Sequence, residues 1–403
     1  MFSKKRCDFS NHMNRVKKKT ITLVAAFVAV IIALFFWLAP ARIERAQNLV
    51  VAHEPYPIRR EALELHRDLF VADLHTDSLL WKRDLLQRSD IGHIDLPRLQ
   101  AGNVALQIFS ATTKSPAGQN VEENTGDSDN ITLLAVTQLW PVATWSSIYE
   151  RARYQLDKLK DFSAASDGEL RLILSKNDLY SLINARAAGA TAVGAIYLIE
   201  GAHPLEGKIE NLDRLFEQGL RIAGITHFFD NQLGGSLHGV SKAGLTDFGR
   251  EVVRRADELG IIIDIAHVSP QAVRDILEIT NRPQILSHGG LKGVCDTPRN
   301  LADDLMLEVA ANGGLLGIGF WEAAICDITP NGIVAAIRYA IDLVGVDHIA
   351  LGSDFDGTVD VSLDASELAV LTQTMLEHDF SEEEIRKVMG GNAQRFFLDW
   401  LPD

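Results

Sequence analysis

The chain has 403 residues, 47% hydrophobic and 23% charged, a globular balance that excludes a disordered polymer. Its formal net charge of −15 is unevenly spread, with residues 1–19 at +6 and the remainder at −21. A body that acidic repels nucleic-acid backbones and excludes nucleic acid as a partner.

In chain order, Lys4, Lys5, Arg6, Arg15, Lys17, Lys18 and Lys19 form a basic N-terminus at residues 1–19. An uncharged run of 19 residues follows, from Ile21 to Ala39. At about 1.5 Å per residue it reaches roughly 28 Å, close to the ~30 Å hydrocarbon core of a bilayer. Residues 20–40 are therefore read as a transmembrane signal-anchor. The basic flank holds the N-terminus in the cytoplasm and sends the acidic body across. Ala39-Pro40-Ala41 has the small-x-small form of a signal-peptide cleavage site. The apolar core exceeds the usual ~7–15 residues of such a peptide, which favours an uncleaved anchor. Cys7 falls on the cytoplasmic side. Cys295 and Cys326 lie in the exported body, where an oxidising space permits a disulfide, but spacing alone does not decide between a bond and two free thiols.

Residues 41–66 read as a linker with a short lead-in helix, and residues 67–403 as one catalytic-sized domain. Strand-like runs are predicted near 69–74, 103–109, 192–199, 221–226, 261–266, 283–287, 314–319 and 348–353. Amphipathic helical stretches lie between them, among them 269–280, where Ser269 is a plausible N-cap with Pro270 in the first turn. Eight strands each followed by a helix favour a closed (β/α)8 TIM barrel over an open sheet. Residues 110–190 are too long for one crossover and read as an insertion after the second strand. It opens with a polar, acidic loop and continues as helix with a break near Pro141. Such an insertion either shapes a substrate site or elaborates the surface.

Potential ligands fall at the ends of these strands, where a barrel keeps its chemistry. His75 and Asp77 alternate by two, so in extended chain both side chains point the same way. Glu200 closes a nearly continuous apolar run, where a lone carboxylate needs a metal or a barrel arginine as partner. His203, beyond that strand and before a proline, is a weaker rival. His267 and His288 end consecutive strands, and as a pair they suit one cation with nitrogen ligands, zinc foremost. The glycines after His288 allow the backbone to turn sharply or to approach a ligand closely. His227 is either a further ligand or an imidazole that stabilises a substrate oxyanion. Arg299 suits a substrate carboxylate or, alternatively, a surface salt bridge to Asp303 or Asp304. Asp354 directly follows the last strand and can accept a proton from an attacking water, while Asp356 serves the loop.

Read together, DLHTD, IEGAHPL, ITHFFDNQLGGS, GIIIDIAHVS, SHGGLKGVCDTPRNLAD, GSDFDG and GGNAQRFF resemble the membrane (renal-type) dipeptidases, peptidase family M19. The resemblance spans about residues 67–400. It implies two Zn2+ ions per chain, with Glu200 bridging, His75 and Asp77 completing one metal, and His267 and His288 the other. His227 and Arg299 would bind substrate, and Asp354 would handle the proton of a metal-bridging hydroxide that attacks a dipeptide's amide. The family implies a homodimer, and the N-terminal anchor suggests a bacterial inner-membrane protein facing the periplasm. Gly289-Gly290 and DIAHVS depart from the family's usual text without removing a ligand, which touches substrate preference more than catalysis. A different amidohydrolase, acting on a lactone, cyclic amide, β-lactam or N-acyl amino acid, is the alternative enzyme. A tethered binding protein that lost activity is the non-enzymatic one.

Overall fold

The computed structural model describes residues 3–403, and among residues 3–16 only the side chains of Met13 and Arg15. Expectations that rest on the side chains of Lys4, Lys5, Arg6, Cys7 and Asp8 lie outside the described residues. One helix runs from Ser3 through Pro40 to Gln47, and its stretch Lys17–Gln47 is long and apolar enough to cross a membrane. Its last turn is tied to the body: buried Glu44 pairs with Arg83, and Thr358 N donates to Asn48 Oδ1 at 2.9 Å. The short lead-in helix is Arg60–Arg67.

The strands are β1 (Val71–Thr76), β2 (Val104–Thr112), β3 (Leu170–Leu172), β4 (Val193–Glu200) and β5 (Leu220–Gly224). They continue as β6 (Ile262–Asp264), β7 (Ile285–Gly289), β8 (Leu315–Ile318) and β9 (Ile349–Leu351). All pairings between them are parallel, in the order β2-β1-β9-β8-β7-β6-β5-β4, and β4 pairs back onto β2. Eight strands thus close into a barrel, as the alternating pattern predicts. The closing seam runs from Leu106 opposite Gly194 to Thr112 opposite Glu200. One apolar cluster draws residues from all eight barrel strands, including Leu74, Ile108, Leu198, Ile222, Ile262, Ile285, Leu315 and Ala350, and packs against Phe396 and Phe397 near the C-terminus. Such all-round burial explains the near-continuous hydrophobic strand text.

The insertion holds a strand that the sequence reading lacks. β3 is three residues long and lies along the first residues of β4. The helical part breaks as expected around Pro141, into helices Asn130–Thr137 and Ile148–Ala165 with a 3-10 turn at Val142–Trp145. Ser269 caps helix Pro270–Ile279 by accepting from Ala272 N at 3.1 Å.

Cys295 and Cys326 are joined in a disulfide with Cα atoms 5.5 Å apart, bridging the loops after β7 and β8. The bond closes a loop of sequence separation 31. Replacing Cys326 by Ser is expected to destabilise the folded chain by about 2–4 kcal/mol. A chemical-denaturation midpoint unchanged from the parent would contradict that.

Candidate metal centre and active site

Seven strand-end residues and Arg299 converge at one end of the barrel. His75 and His288 lie in β1 and β7, and Glu200 is the last residue of β4. Asp77, His227, His267 and Asp354 sit one to three residues beyond β1, β5, β6 and β9. All of these residues, and Arg299, are buried. All of them but His75 line a cavity of about 240 Å³, together with Trp321 and with Gln119, Asn120 and Val121 of the insertion. This is smaller than the ~300–1,000 Å³ typical of drug-sized ligands, and it suits a small substrate.

Glu200 is the hub. Its Oε1 lies 3.6 Å from His75 Nε2, 3.3 Å from His267 Nε2 and 3.4 Å from His288 Nε2. Its Oε2 lies 3.3 Å from His227 Nε2. The Thr112 hydroxyl sits between Glu200 Oε2 at 2.8 Å and Asp77 Oδ1 at 2.9 Å, a consequence of the β2–β4 register. Burial pushes the Glu200 carboxyl up, but His227, His75 and the Thr112 hydroxyl outweigh it and hold the group below its ordinary range. Among the described residues no arginine or lysine pairs with Glu200, so the salt bridge to a barrel arginine is not formed.

The donor atoms fit divalent cations. Three groups, His75-Asp77-Glu200, Glu200-His267-His288 and His75-Asp264-His288, each bring ligand atoms within 4.8 Å of one another. His75 Nε2 is buried without a hydrogen-bond partner and faces the carboxylates of Asp77 (3.7 Å), Glu200 (3.6 Å) and Asp354 (3.8 Å). Burial would lower the His75 pKa, yet Asp77, Glu200 and Asp354 raise it to about 10. In the absence of another cation, a proton must do the work of neutralising these acids. His267 Nε2 and His288 Nε2 stand 3.0 Å apart, a separation that requires a proton or a cation between them. Burial, together with the nearby positive charges of Arg299 and His75, holds both imidazoles well below their ordinary pKa. Neutral imidazoles are what a metal requires.

A support layer orients these ligands. The Ser287 hydroxyl donates to Asp264 Oδ2 at 2.6 Å, so its lone pairs receive His288 Nδ1–H at 2.9 Å and His75 Nδ1–H at 3.3 Å. That network places the Nδ1 protons on Ser287, so a cation that displaces the His75 Nε2 proton would find both Nε2 lone pairs aimed at the centre. Asp264 also accepts from Ala266 N and Ser287 N. Asp73 likewise holds Ser353 in the last strand's loop through bonds of 2.7 Å to its amide and its hydroxyl.

Two site residues adopt the left-handed backbone region, His267 at φ 62° and Asp354 at φ 61°. Non-glycine residues are rare there, and the surroundings must hold them. His267 O accepts from Leu237 N at 2.8 Å and Thr226 Oγ1 at 3.0 Å, and Asp354 O accepts from Gly357 N at 3.0 Å. Gly290 makes its close approach to backbone rather than to a ligand, since a Cβ on it would stand 2.0 Å from Ala324 O.

Asp354 is deeply buried, which raises its pKa well above the carboxylate range. His75 opposes the shift, while Asp77 and Glu200 add to it. Arg299 is buried rather than paired with Asp303 or Asp304: one Nη2–H donates to His288 O at 3.0 Å, and the guanidinium lies 5.2 Å from the Trp321 ring. His203 is set apart, its ring tilted 39° against that of Phe229, and lies outside the three ligand groups. Asp356 serves its loop, binding Arg83 and accepting from His93 N at 2.6 Å. The insertion shapes the site after all. Its polar loop lines the cavity and is pinned where Asn124 N and Asn124 Nδ2 donate to His238 O.

Histidines and acids clustered at the strand ends of a closed parallel barrel form a site of the kind that holds catalytic metal. The family description of membrane dipeptidases, peptidase family M19, matches residues 59–399, and the chain belongs to that family. It is a hydrolase of the metallo-dipeptidase class and takes a metal cofactor. An uncharacterized dipeptidase of Schizosaccharomyces pombe is 28% identical over 367 residues, covering 87% of this chain and 82% of the relative. Dipeptidase 3 of Mus musculus is 27% identical, covering 84% of this chain and 66% of the relative. Among solved structures, the probable dipeptidase PvdM from Pseudomonas aeruginosa has a TM-score of 0.71 at 19% identity, covering 85% of this chain and 98% of that one. A metallopeptidase from Rhodobacter sphaeroides, liganded with a phosphinate mimic of L-Ala-D-Ala, has a TM-score of 0.66 at 21% identity, covering 83% and 99%.

Proposed function

We propose that this chain hydrolyses the amide bond of dipeptides at two zinc ions held by His75, Asp77, Glu200, His267 and His288. The observation that carries the reading is the meeting of one Glu200 oxygen with three imidazole Nε2 atoms within 3.6 Å. His75 and Asp77 would hold one ion and His267 and His288 the other, with Glu200 available to both. Bound there, the ions would polarise the scissile carbonyl and acidify a shared water.

The chain's own groups do the rest. Asp354 takes the proton of the attacking water and passes it to the leaving amine. Burial keeps its carboxyl basic enough to accept a proton, and two cations nearby would lower its pKa towards the range in which it can release it again. His227, beside Glu200, donates towards the oxygen on which charge develops. Arg299 has five N–H donors and spends one on His288 O, which leaves others for the substrate's terminal carboxylate. A phosphinate mimic of a dipeptide in the Rhodobacter relative accords with a tetrahedral intermediate in such a pocket.

The membrane reading extends the same proposal: residues 20–40 span the bilayer and the catalytic body lies outside the cytoplasm, in a bacterial periplasm. The basic residues before the span and the Cys295–Cys326 disulfide support that side. A homodimer follows from family likeness alone.

The test is a panel of dipeptides assayed with the purified full chain, before and after chelation. Hydrolysis that vanishes with the chelator and returns with zinc is the expected outcome. Chelator-resistant hydrolysis, or none on any dipeptide, would sink the reading.

A further inference from the structure

The insertion contains a second stretch that avoids charge altogether. Residues 130–149, from Asn130 through Tyr149, carry no Asp, Glu, Lys or Arg. In an otherwise acidic body this stretch leaves large apolar side chains in the open: Leu133 is 67% exposed, Leu139 57%, Val142 71% and Trp145 38%. Singly, exposed apolar residues mean little, but four within 13 positions form a patch of the kind that marks an interaction surface.

Its position identifies the partner. Helix Asn130–Thr137 stands beside the N-terminal helix across a groove of about 1030 Å³. Ile31, Leu34, Phe35 and Leu38 of the N-terminal helix form one wall, and Leu133 and Leu134 belong to the other. The first charge after the apolar run is Arg42, 11 residues beyond Ile31. At about 1.5 Å per residue Ile31 then lies roughly 16 Å below the polar boundary, near the middle of a ~30 Å hydrocarbon layer. The anchor's side of the groove continues through Arg42, Ile43 and Gln47, and Ile43 packs on the cluster of Ile131 and Leu134, so the insertion meets the anchor where the anchor leaves the hydrocarbon layer. The anchor cannot simply swing away, because Glu44, Asn48 and Pro40 are buried against the body.

We propose that residues 130–145 seat in the outer leaflet beside the anchor, as a second, monotopic contact whose occupant is the acyl chains of the bilayer. This rests on the anchor reading given above. Trp145 and Trp37, both exposed, are amphipathic side chains of the type that gathers at membrane interfaces. Gln119 and Ile131 line both the groove and the catalytic cavity, so the mouth of the active site faces the membrane surface. Substrates then enter laterally, along the lipid headgroups.

The experiment uses the full chain with Cys7→Ser, retaining the native disulfide, and nitroxide labels on Leu133→Cys, Val142→Cys, Val28→Cys or Tyr180→Cys. Each protein is reconstituted into vesicles of phosphatidylethanolamine and phosphatidylglycerol. Collision rates are measured with oxygen, which concentrates in lipid, and with a nickel chelate, which stays in water. Labels at 133 and 142 are expected to favour oxygen severalfold, as at 28, while the label at 180 favours nickel. Labels at 133 and 142 that behave like 180 would overturn the proposal. So would labels shielded from both relaxants, which indicate a second protein copy on the patch. If position 28 also favours nickel, the anchor reading itself has failed, and the two failures are told apart.

Discussion

Asp354→Asn is expected to lower kcat on a dipeptide by about 10²–10⁴-fold, the usual contribution of a positioned acid–base group. The amide keeps the size of the carboxyl but cannot carry a proton between water and leaving amine. Metal content should not change, because the three ligand-atom groups do not include Asp354. Steady-state kinetics with metal analysis on the same sample checks both parts. Full activity would remove Asp354 from the proton path, and lost metal would make it a ligand instead.

Glu200→Gln is expected to do more damage by another route. A neutral amide replaces the one charge shared by His75, His227, His267 and His288, each with its Nε2 within 3.6 Å. In the two-ion reading both cations would lose their common ligand, and His227, His267 and His288 would lose the carboxylate beside their Nε2 atoms. Metal content should fall from two per chain to one or none. Because metal polarisation is worth several kcal/mol, kcat/KM should fall by at least about 10³-fold. A Gln variant that holds two ions and turns over normally would show that Glu200 does not bridge.

Much of this site was legible because barrels bury their strands on both faces and place function at the strand ends. His75, Glu200 and His288 each follow or close an apolar run, and a polar side chain there is conspicuous. Their support is less legible. Asp264 and Ser287 look like ordinary strand residues, and only the fold brings the Ser287 hydroxyl between Asp264 and two imidazoles from sequence positions 75 and 288. Thr112 escapes notice for a related reason: the apolar run that predicts the second strand ends near 109, whereas β2 continues through Ser110 and Thr112 to Glu200's own level. Trp321 stands three residues beyond β8, the same strand-end position that flagged the histidines, but an indole carries no metal-ligand signal.

Long-range geometry accounts for the remaining differences. The cysteine pair is 31 residues apart in sequence and joins two different strand-end loops, which spacing alone could not decide. β3 is too short for period-two alternation to register, and it exists only because β4 offers an edge. The first helix continues through Pro40 to Gln47, and there Glu44 meets Arg83, a contact invisible along the chain.

The central claim is a pair of cations sharing Glu200, and anomalous diffraction from crystals of the native chain at the zinc absorption edge tests it most directly. Two peaks are expected, one beside His75 and Asp77, the other beside His267 and His288, with Glu200 in contact with both. A single peak, or peaks remote from Glu200, would contradict the account.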